Sequence, residues 1–341
     1  MKSKMQLVGI LSLVFLFFSC KQKVQPENKK ASSIEVTDTK GNLVSLNKPA
    51  QRIVCLFDPA LDLIQMLDAS DKLVGIPIET YLDSELYIPL SLLDSRIKNK
   101  ELKTPGSNEL QQIEEIVALK PDLLIVQNLS SGMVKTLNAM GIAVYMATAQ
   151  SRENLFQELL DIAILTGTQS RGQELEAYAT NQFKALQLAA AAIPEMQRKK
   201  VYFTWANGRI FSTTGRNSMM NDCLEFAGTV NASTSAIDQP NINPETLVSW
   251  NPDIIVMWND SPDLFYNKHE LAQVNAIKNK AIFNLMPMFF YNPHTLKSLC
   301  ASVAIKEWAY GNTAQAKIKI REVIKNLYGN EKSEKLLTLL P

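Results

Sequence analysis

Histidine is scarce in this chain. The two that occur, His269 and His294, stand far apart, at no spacing that makes a metal-ligand pair. A one-sided charge is missing too: 35 Lys and Arg against 34 Asp and Glu leave a formal net charge of +1. That argues against a dedicated nucleic-acid binder, which needs a basic excess. No P-loop motif occurs, so the chain has no phosphate cradle of its own for ATP hydrolysis. Beyond the N-terminus no apolar run is long enough to span a bilayer, and no low-complexity segment interrupts the chain. Cysteine is sparse, with Cys20, Cys55, Cys223 and Cys300. The last three fall in one expected strand and two expected helices, so buried thiols are expected, with one disulfide at most. Nothing local supplies the His or the electropositive site that a catalytic cysteine wants.

What is present starts at the N-terminus. Lys2 and Lys4 precede an apolar run over residues 7–18, then Ser19 and Cys20. A basic start with a short apolar core makes a secretion signal. A cysteine after a small residue at its end looks like a lipoprotein lipobox. The polar stretch KQKVQPENKKASS over residues 21–33 is the tether that an anchored domain needs. The expected organisation is a signal peptide over 1–20 ending at lipidated Cys20, a tether over 21–33, an α/β lobe over 34–150, connecting helices over 151–194 and a second α/β lobe over 195–341. With 341 residues, 46% of them hydrophobic, there is enough chain for two cores.

The centre of this plan is a long helix over residues 169–192. Thr168 is placed to cap it and Pro194 to end it. Leu175, Tyr178, Gln182, Phe183, Leu186, Ala190 and Ile193 recur every three or four residues along one face, and the helix is roughly 36 Å long at ~1.5 Å per residue. The halves on either side resemble each other. IEEIVALKPDLLIV (113–126) and PETLVSWNPDIIVM (244–257) share a Glu seven residues before a Pro-Asp, and then a fully apolar strand. Each reads as a short helix stopped before Pro, followed by a buried strand.

Around these lie a hairpin over 34–46, strands over 52–57, 72–76 and 142–146, and a helix over 59–67 opened by Asp58 with Pro59 at its first position. A helix over 152–166 is capped by Ser151 and ended by Gly167. The second half adds strands over 201–205, 209–213 and 281–285 and helices over 217–226 and 295–310. Strands alternating with helices argue for mostly parallel sheets covered on both faces.

The succession resembles the substrate-binding proteins of type II ABC importers, the family that binds ferric siderophores, haem and cobalamin and has the class III binding-protein fold. The resemblance covers nearly the whole mature chain. It rests on VTD at 36–38 with Gly41, PAQRIV at 49–54, LDASDKLVG at 67–75, the two Pro-Asp repeats and the central helix, in that order. It implies an α/β protein of two Rossmann-like lobes with mostly parallel sheets, joined by a single long rigid helix, with the ligand cleft between the lobes. Limited closure on binding follows from such a helix.

The resemblance gives Glu114 and Glu245 the job of docking on arginines of an ABC permease dimer, whose ATPase subunits supply the energy. As residues, both are also ordinary first-turn helix glutamates, favoured by the helix dipole, and Glu115 is adjacent to the first. The implied protein is an exported monomer, lipid-anchored to the cell membrane and facing periplasm or exterior, with no nucleic-acid partner, no catalytic residue, no resident metal and no cofactor.

Ligands of open parallel sheets sit beyond the strands' carboxyl ends. Those ends supply Asp58 and Pro59, Gln127 and Asn128, Trp205 and Asn207, and Trp258 and Asn259, with Asp260 following. Tyr81, the loop over 104–107, Tyr291 and His294 are expected to border the same cleft. Tyr and Trp suit large, partly apolar ligands, although core or rim packing explains each aromatic taken singly. Arg216, in a turn leading into a helix, offers an anion site or a solvated surface charge. His294 is a candidate iron or oxyanion ligand, or a helix cap. The expected ligand is a metal chelate, first an iron–siderophore complex. Cobalamin, haem or a molybdate-type oxyanion are the alternatives on the same fold. A chelatase-like enzyme would need an acidic partner for His294, which the sequence does not show. An adhesive lipoprotein would need a cleft filled by side chains.

Overall fold

The computed structural model describes residues 33–311 and 313–340; the expected signal segment and lipidated Cys20 lie outside the described residues. The first half runs β1 (Ile34–Thr37), β2 (Leu43–Leu46), β3 (Ile53–Cys55), α1 (Asp58–Met66), β4 (Leu73–Gly75), α2 (Glu79–Leu82), α3 (Ser84–Leu93) and α4 (Ser95–Lys98). It continues through α5 (Ile113–Ala118), β5 (Leu123–Val126), α6 (Ser131–Ala139) and β6 (Ala143–Met146). After the connecting helices α7 (Arg152–Thr166) and α8 (Gln169–Ala191) come β7 (Lys200–Ala206), β8 (Arg209–Thr213), α9 (Met219–Phe226), β9 (Val230–Asn231), α10 (Pro244–Trp250) and β10 (Ile254–Met257). The chain ends with α11 (Asp263–Tyr266), α12 (Asn275–Lys278), β11 (Ile282–Asn284), α13 (Ser298–Tyr310) and α14 (Thr313–Leu336), the last broken at Gly329.

Besides the antiparallel β1–β2 hairpin there are two larger sheets, one per lobe. The first has strand order β4-β3-β5-β6, all parallel. The second has order β11-β10-β7-β8, with β9 paired to β7. Each Pro-Asp repeat fastens its own sheet. Asp122 accepts the backbone N–H groups of Gln51 (2.8 Å) and Arg52 (3.0 Å), where the chain enters β3. Asp253 accepts that of Lys200 (2.9 Å), where it enters β7. The aspartate thus sets the start of the neighbouring parallel strand, and the four apolar residues that follow it are buried in both lobes. Burial on both faces is why those strands carry no polar alternation.

The second sheet departs from parallel at β8, which runs antiparallel to β7. Their connection is the two-residue loop Asn207-Gly208, at φ +52° and +73°. Asn-Gly accepts this left-handed pair, whose twist suits a tight hairpin.

The connector matches its sequence pattern closely. The Ser151 hydroxyl accepts from Asn154 N (3.1 Å), and Gly167 closes α7 at φ +75°. Thr168 precedes α8 without capping it, because its hydroxyl pairs with that of Thr166 (2.9 Å). Gly172 lets the two helices meet: a Cβ there would sit 2.5 Å from that of Ala163. Helix α8 buries Gly172, Leu175, Ala179, Phe183, Leu186 and Ala190. Phe183 lies between Phe156 of α7 and Phe226 of α9, with ring centroids 6.2 and 4.9 Å away.

A second tie between the lobes was not legible in the sequence. Helix α14 packs on α1 and α3 of the first lobe. At its centre the Lys297 ammonium lies 2.9 Å from Asp62 and 3.4 Å from the Phe289 ring centroid, and the Tyr328 hydroxyl donates to the same carboxylate. Lys297 is 2% exposed and Asp62 5%. Nearby, Lys332 donates to Gln65 O (2.6 Å) and Asp68 (2.7 Å), and Arg171 to the carbonyls of Asn326 and Leu327. The largest apolar cluster is continuous across both lobes, from Ile53 and Leu63 to Leu299 and Leu327.

A buried charge left without its partner is costly, while a buried pair replaced by apolar groups is not. Asp62→Ala is therefore expected to lower stability by about 3–5 kcal/mol, and Asp62→Leu combined with Lys297→Met to recover most of it. Urea denaturation of the three proteins checks this.

Candidate functional site: the seam between the strand ends

The two sheets turn their carboxyl ends toward each other, as the contacts across the seam demonstrate. Met288, just after β11, donates its backbone N–H to Glu85 of α3 (3.0 Å). His294 Nδ1 lies 2.9 Å from the carbonyl of Ala149, just after β6. Ala149 is held at φ +45° by Glu158, a buried carboxylate that accepts the N–H groups of Thr148 (2.5 Å) and Ala149 (2.9 Å).

On the first lobe the seam is acidic. Asp58 N donates to Asn108 Oδ1 (3.1 Å), Asn108 Nδ2 donates back to Asp58 Oδ2 (2.8 Å), and Asn108 N donates to Glu79 (3.2 Å). The second oxygen of each carboxylate, Asp58 Oδ1 and Glu79 Oε2, is buried with no donor. Burial pushes the Asp58 carboxyl up to about 6; the Asn108 hydrogen bond opposes this, and the charges of Glu79, Asp83 and Asp62 add to it. A 30 Å³ cavity lies here, lined by Asp58, Asp62 and Leu86 from one lobe and Phe289, Asn292 and Lys297 from the other. It has room for a water or two. Pro59 is the second residue of α1, not the first, where its missing N–H still costs nothing. Gln127 is half-buried and Asn128 exposed, directly after β5. Tyr81 donates its hydroxyl to Leu102 O (3.2 Å) and meets Tyr87 edge-on at 6.3 Å, with the Lys100 ammonium over both rings.

On the second lobe the seam is aromatic and amide-rich. Trp205 and Trp258 pack edge to face at 5.8 Å, and the buried Trp205 indole N–H has no acceptor. Asn259 Nδ2 donates to Asn207 Oδ1 (2.6 Å), Asn207 N donates to Asn259 Oδ1 (3.0 Å) and Gly208 N to Asp260 (2.8 Å). These bonds fix the hairpin tip to the loop after β10.

Two residues expected at the cleft lie apart from this group. Because β8 runs antiparallel, the chain after it returns toward the amino ends of the sheet. Arg216 therefore lines a separate 660 Å³ cavity with Arg152, Arg198, Asp222, Glu225 and Phe226. Tyr291 is 6% exposed, its phenol pushed up by burial. It lines a 290 Å³ cavity with Met286, Phe283 and Trp308. Conversely, Glu79, Asn108, Asp62 and Lys297 are at the seam and were not read from the sequence. Asp62 left a trace there, as a second carboxylate one turn after Asp58 in a mostly apolar helix.

Glu114 and Glu245 are both exposed, each in the first turn of its helix. Neighbouring Glu115 is occupied: turned to donate, the Gln112 amide nitrogen lies 2.8 Å from both of its oxygens. Cys55, Cys223 and Cys300 are free, buried thiols.

Two parallel-sheet lobes with carboxyl ends facing across a seam define a two-lobed binding protein. Residues 53–287 match the periplasmic binding protein family, and the chain belongs to it. It is similar to the ABC transporter substrate-binding lipoprotein YvrC of Bacillus subtilis, at 21% identity over 82% of this chain and 88% of that one. The molybdate-binding protein MolA of Haemophilus influenzae is 24% identical over 74% of this chain and 77% of its own. The MolA structure with molybdate superposes with TM-score 0.72 at 21% identity, covering 87% of this chain and 97% of that one. A periplasmic solute-binding protein of Veillonella parvula superposes with TM-score 0.75 at 20% identity, covering 89% and 96%. The chain is the substrate-binding component of an ABC importer and not an enzyme.

A carboxyl whose folded pKa is raised binds protons more readily folded than unfolded, so its charged form opposes folding. For Asp58 that stability is present below about pH 4 and lost as pH rises toward 6. Asp58→Asn keeps the Asn108 contact and is expected to stabilise the protein at pH 7.5 by about 3 kcal/mol. Its urea midpoint should also lose the Asp58 share of the change between pH 4 and pH 7.5.

Proposed function

We propose that this protein captures a metal chelate, a ferric siderophore first among the candidates, between its lobes and hands it to the membrane permease of its importer. The observation that carries the reading is the pairing at the seam: an aromatic platform, Trp205 with Trp258, on one lobe, and the polar ends of β3 and β5 on the other. Aromatic surface with a few polar groups suits a chelate, whose exterior is largely organic and whose metal is already satisfied. Gln127 and Asn128 on one side and Asn207 and Asn259 on the other supply the polar contacts. The 30 Å³ cavity at the seam's base takes at most one small group of such a ligand, so its body lies outward of it. Cobalamin and haem have the same general character.

A molybdate-type oxyanion, which MolA is named for, fits less well. It would need several N–H donors in a tight pocket, and Arg216 lines a cavity elsewhere.

Glu114 and Glu245 serve as the two docking points on the permease. Both carboxylates are exposed, and two charged contacts far apart fix orientation and speed encounter more than they add affinity. Export with a lipid on Cys20 places the protein at the outer face of the cell membrane, as a monomer tethered by residues 21–33.

Native mass spectrometry of the domain lacking Cys20, offered ferric siderophores, haem, cobalamin and molybdate, tests the ligand class. One-to-one retention of a chelate supports the reading, and retention of molybdate alone replaces it. For docking, Glu114→Lys and Glu245→Lys are each expected to reduce uptake at least about tenfold in cells while leaving ligand affinity unchanged. Unchanged uptake in both would remove the docking assignment.

A further inference from the structure

We infer that the cleft is charge-selective: it takes chelates that carry a protonated amine or another cationic donor group, with Asp58 and Glu79 as the selecting residues, and it excludes anionic chelates. This rests on the chelate-binding reading above and specifies which chelates.

The seam leaves several buried polar groups unsatisfied. Asp58 Oδ1 and Glu79 Oε2 are buried acceptors without a donor. Leaving such oxygens unpaired is unfavourable, and a ligand that brings a donor to them relieves it. Asn108 already bonds the other oxygen of both carboxylates, so the pair is held in place with one oxygen of each left without a donor. Asp58 faces the 30 Å³ cavity that both lobes line, which matches an ammonium or amine group in size.

Lys297 lines this cavity too, but it and the other cations around the seam are held by other groups. Lys297 is bound to Asp62, Lys100 sits over Tyr81 and Tyr87 and Arg216 lines the separate cavity. His294 meets the Ala149 carbonyl through Nδ1. An anionic ligand would therefore meet carboxylates on the first lobe with no guanidinium to offset them, and like charge at close range works against binding. Across the seam the Trp205 indole N–H lacks an acceptor. The fitting ligand is thus two-sided, with its cationic donor toward α1 and α2 and an acceptor on an organic face toward Trp205 and Trp258.

Isothermal titration on the folded domain tests this with three ferric complexes: a linear trihydroxamate bearing one free amine, the same ligand with that amine acetylated, and an anionic tris-catecholate. The amine-bearing complex is expected to bind at least about tenfold tighter than its acetylated form, and the catecholate weakest. Asp58→Asn and Glu79→Gln, made separately, should each shrink the difference between amine and acetylated forms. Equal binding of those two forms by the unaltered protein, or tighter binding of the catecholate, overturns the charge selection and leaves chelate binding standing. Binding of none of the three overturns both. The acetylation comparison needs no variant, so a folding defect in Asp58→Asn does not remove the test.

Discussion

The lobes of this protein are held in one arrangement by a carboxylate buried between them. Asp62, on the helix that follows the first lobe's central strand, binds Lys297 at 2.9 Å and accepts the Tyr328 hydroxyl, both from the second lobe. Neither ion can move into water without the other, since a separated buried charge is far less stable than the pair. With α8 on one side and α14 on another, the lobes meet through a shared apolar core. A wide hinge motion would have to break that core and the ion pair together.

The packing between the lobes explains why the seam carries unsatisfied groups. A site that opened widely would let water reach Asp58, Glu79 and the Trp205 indole. Here the packing of α1, α2 and the loop through Asn108 keeps two carboxylate oxygens dry, and burial shifts Asp58 toward neutrality. The folded state bears this cost at the seam between the lobes, and departures of this kind from the rules of a packed interior are common at functional sites.

Much of the architecture was readable from the chain. The alternation of elements, the caps at Ser151 and Gly167, the long helix and its buried face all followed from local pattern. So did the pairing of two lobes, because the Pro-Asp repeat recurs and the same aspartate-to-backbone bonds form in each. The site was only partly readable. Trp205 meets Trp258 and Asn207 meets Asn259, because each pair sits where two neighbouring strands of one sheet end. Arg216 does not join them, since one antiparallel strand reverses the chain, and nothing local distinguishes β8 from a parallel neighbour apart from the Asn-Gly turn. Tyr291 faces the interior instead of the cleft mouth.

Sequence by itself therefore determined what depends on near neighbours: helix and strand periods, turn residues, and the repeated motif that fastens each sheet. The family followed from their order. Only the tertiary structure decided which polar groups lose water and which find partners. Asn108 meets Asp58 from 50 residues away, and Tyr328 meets Asp62 from 266. Charge inside a fold depends on distances between residues that the chain keeps far apart, and no local spacing encodes those distances.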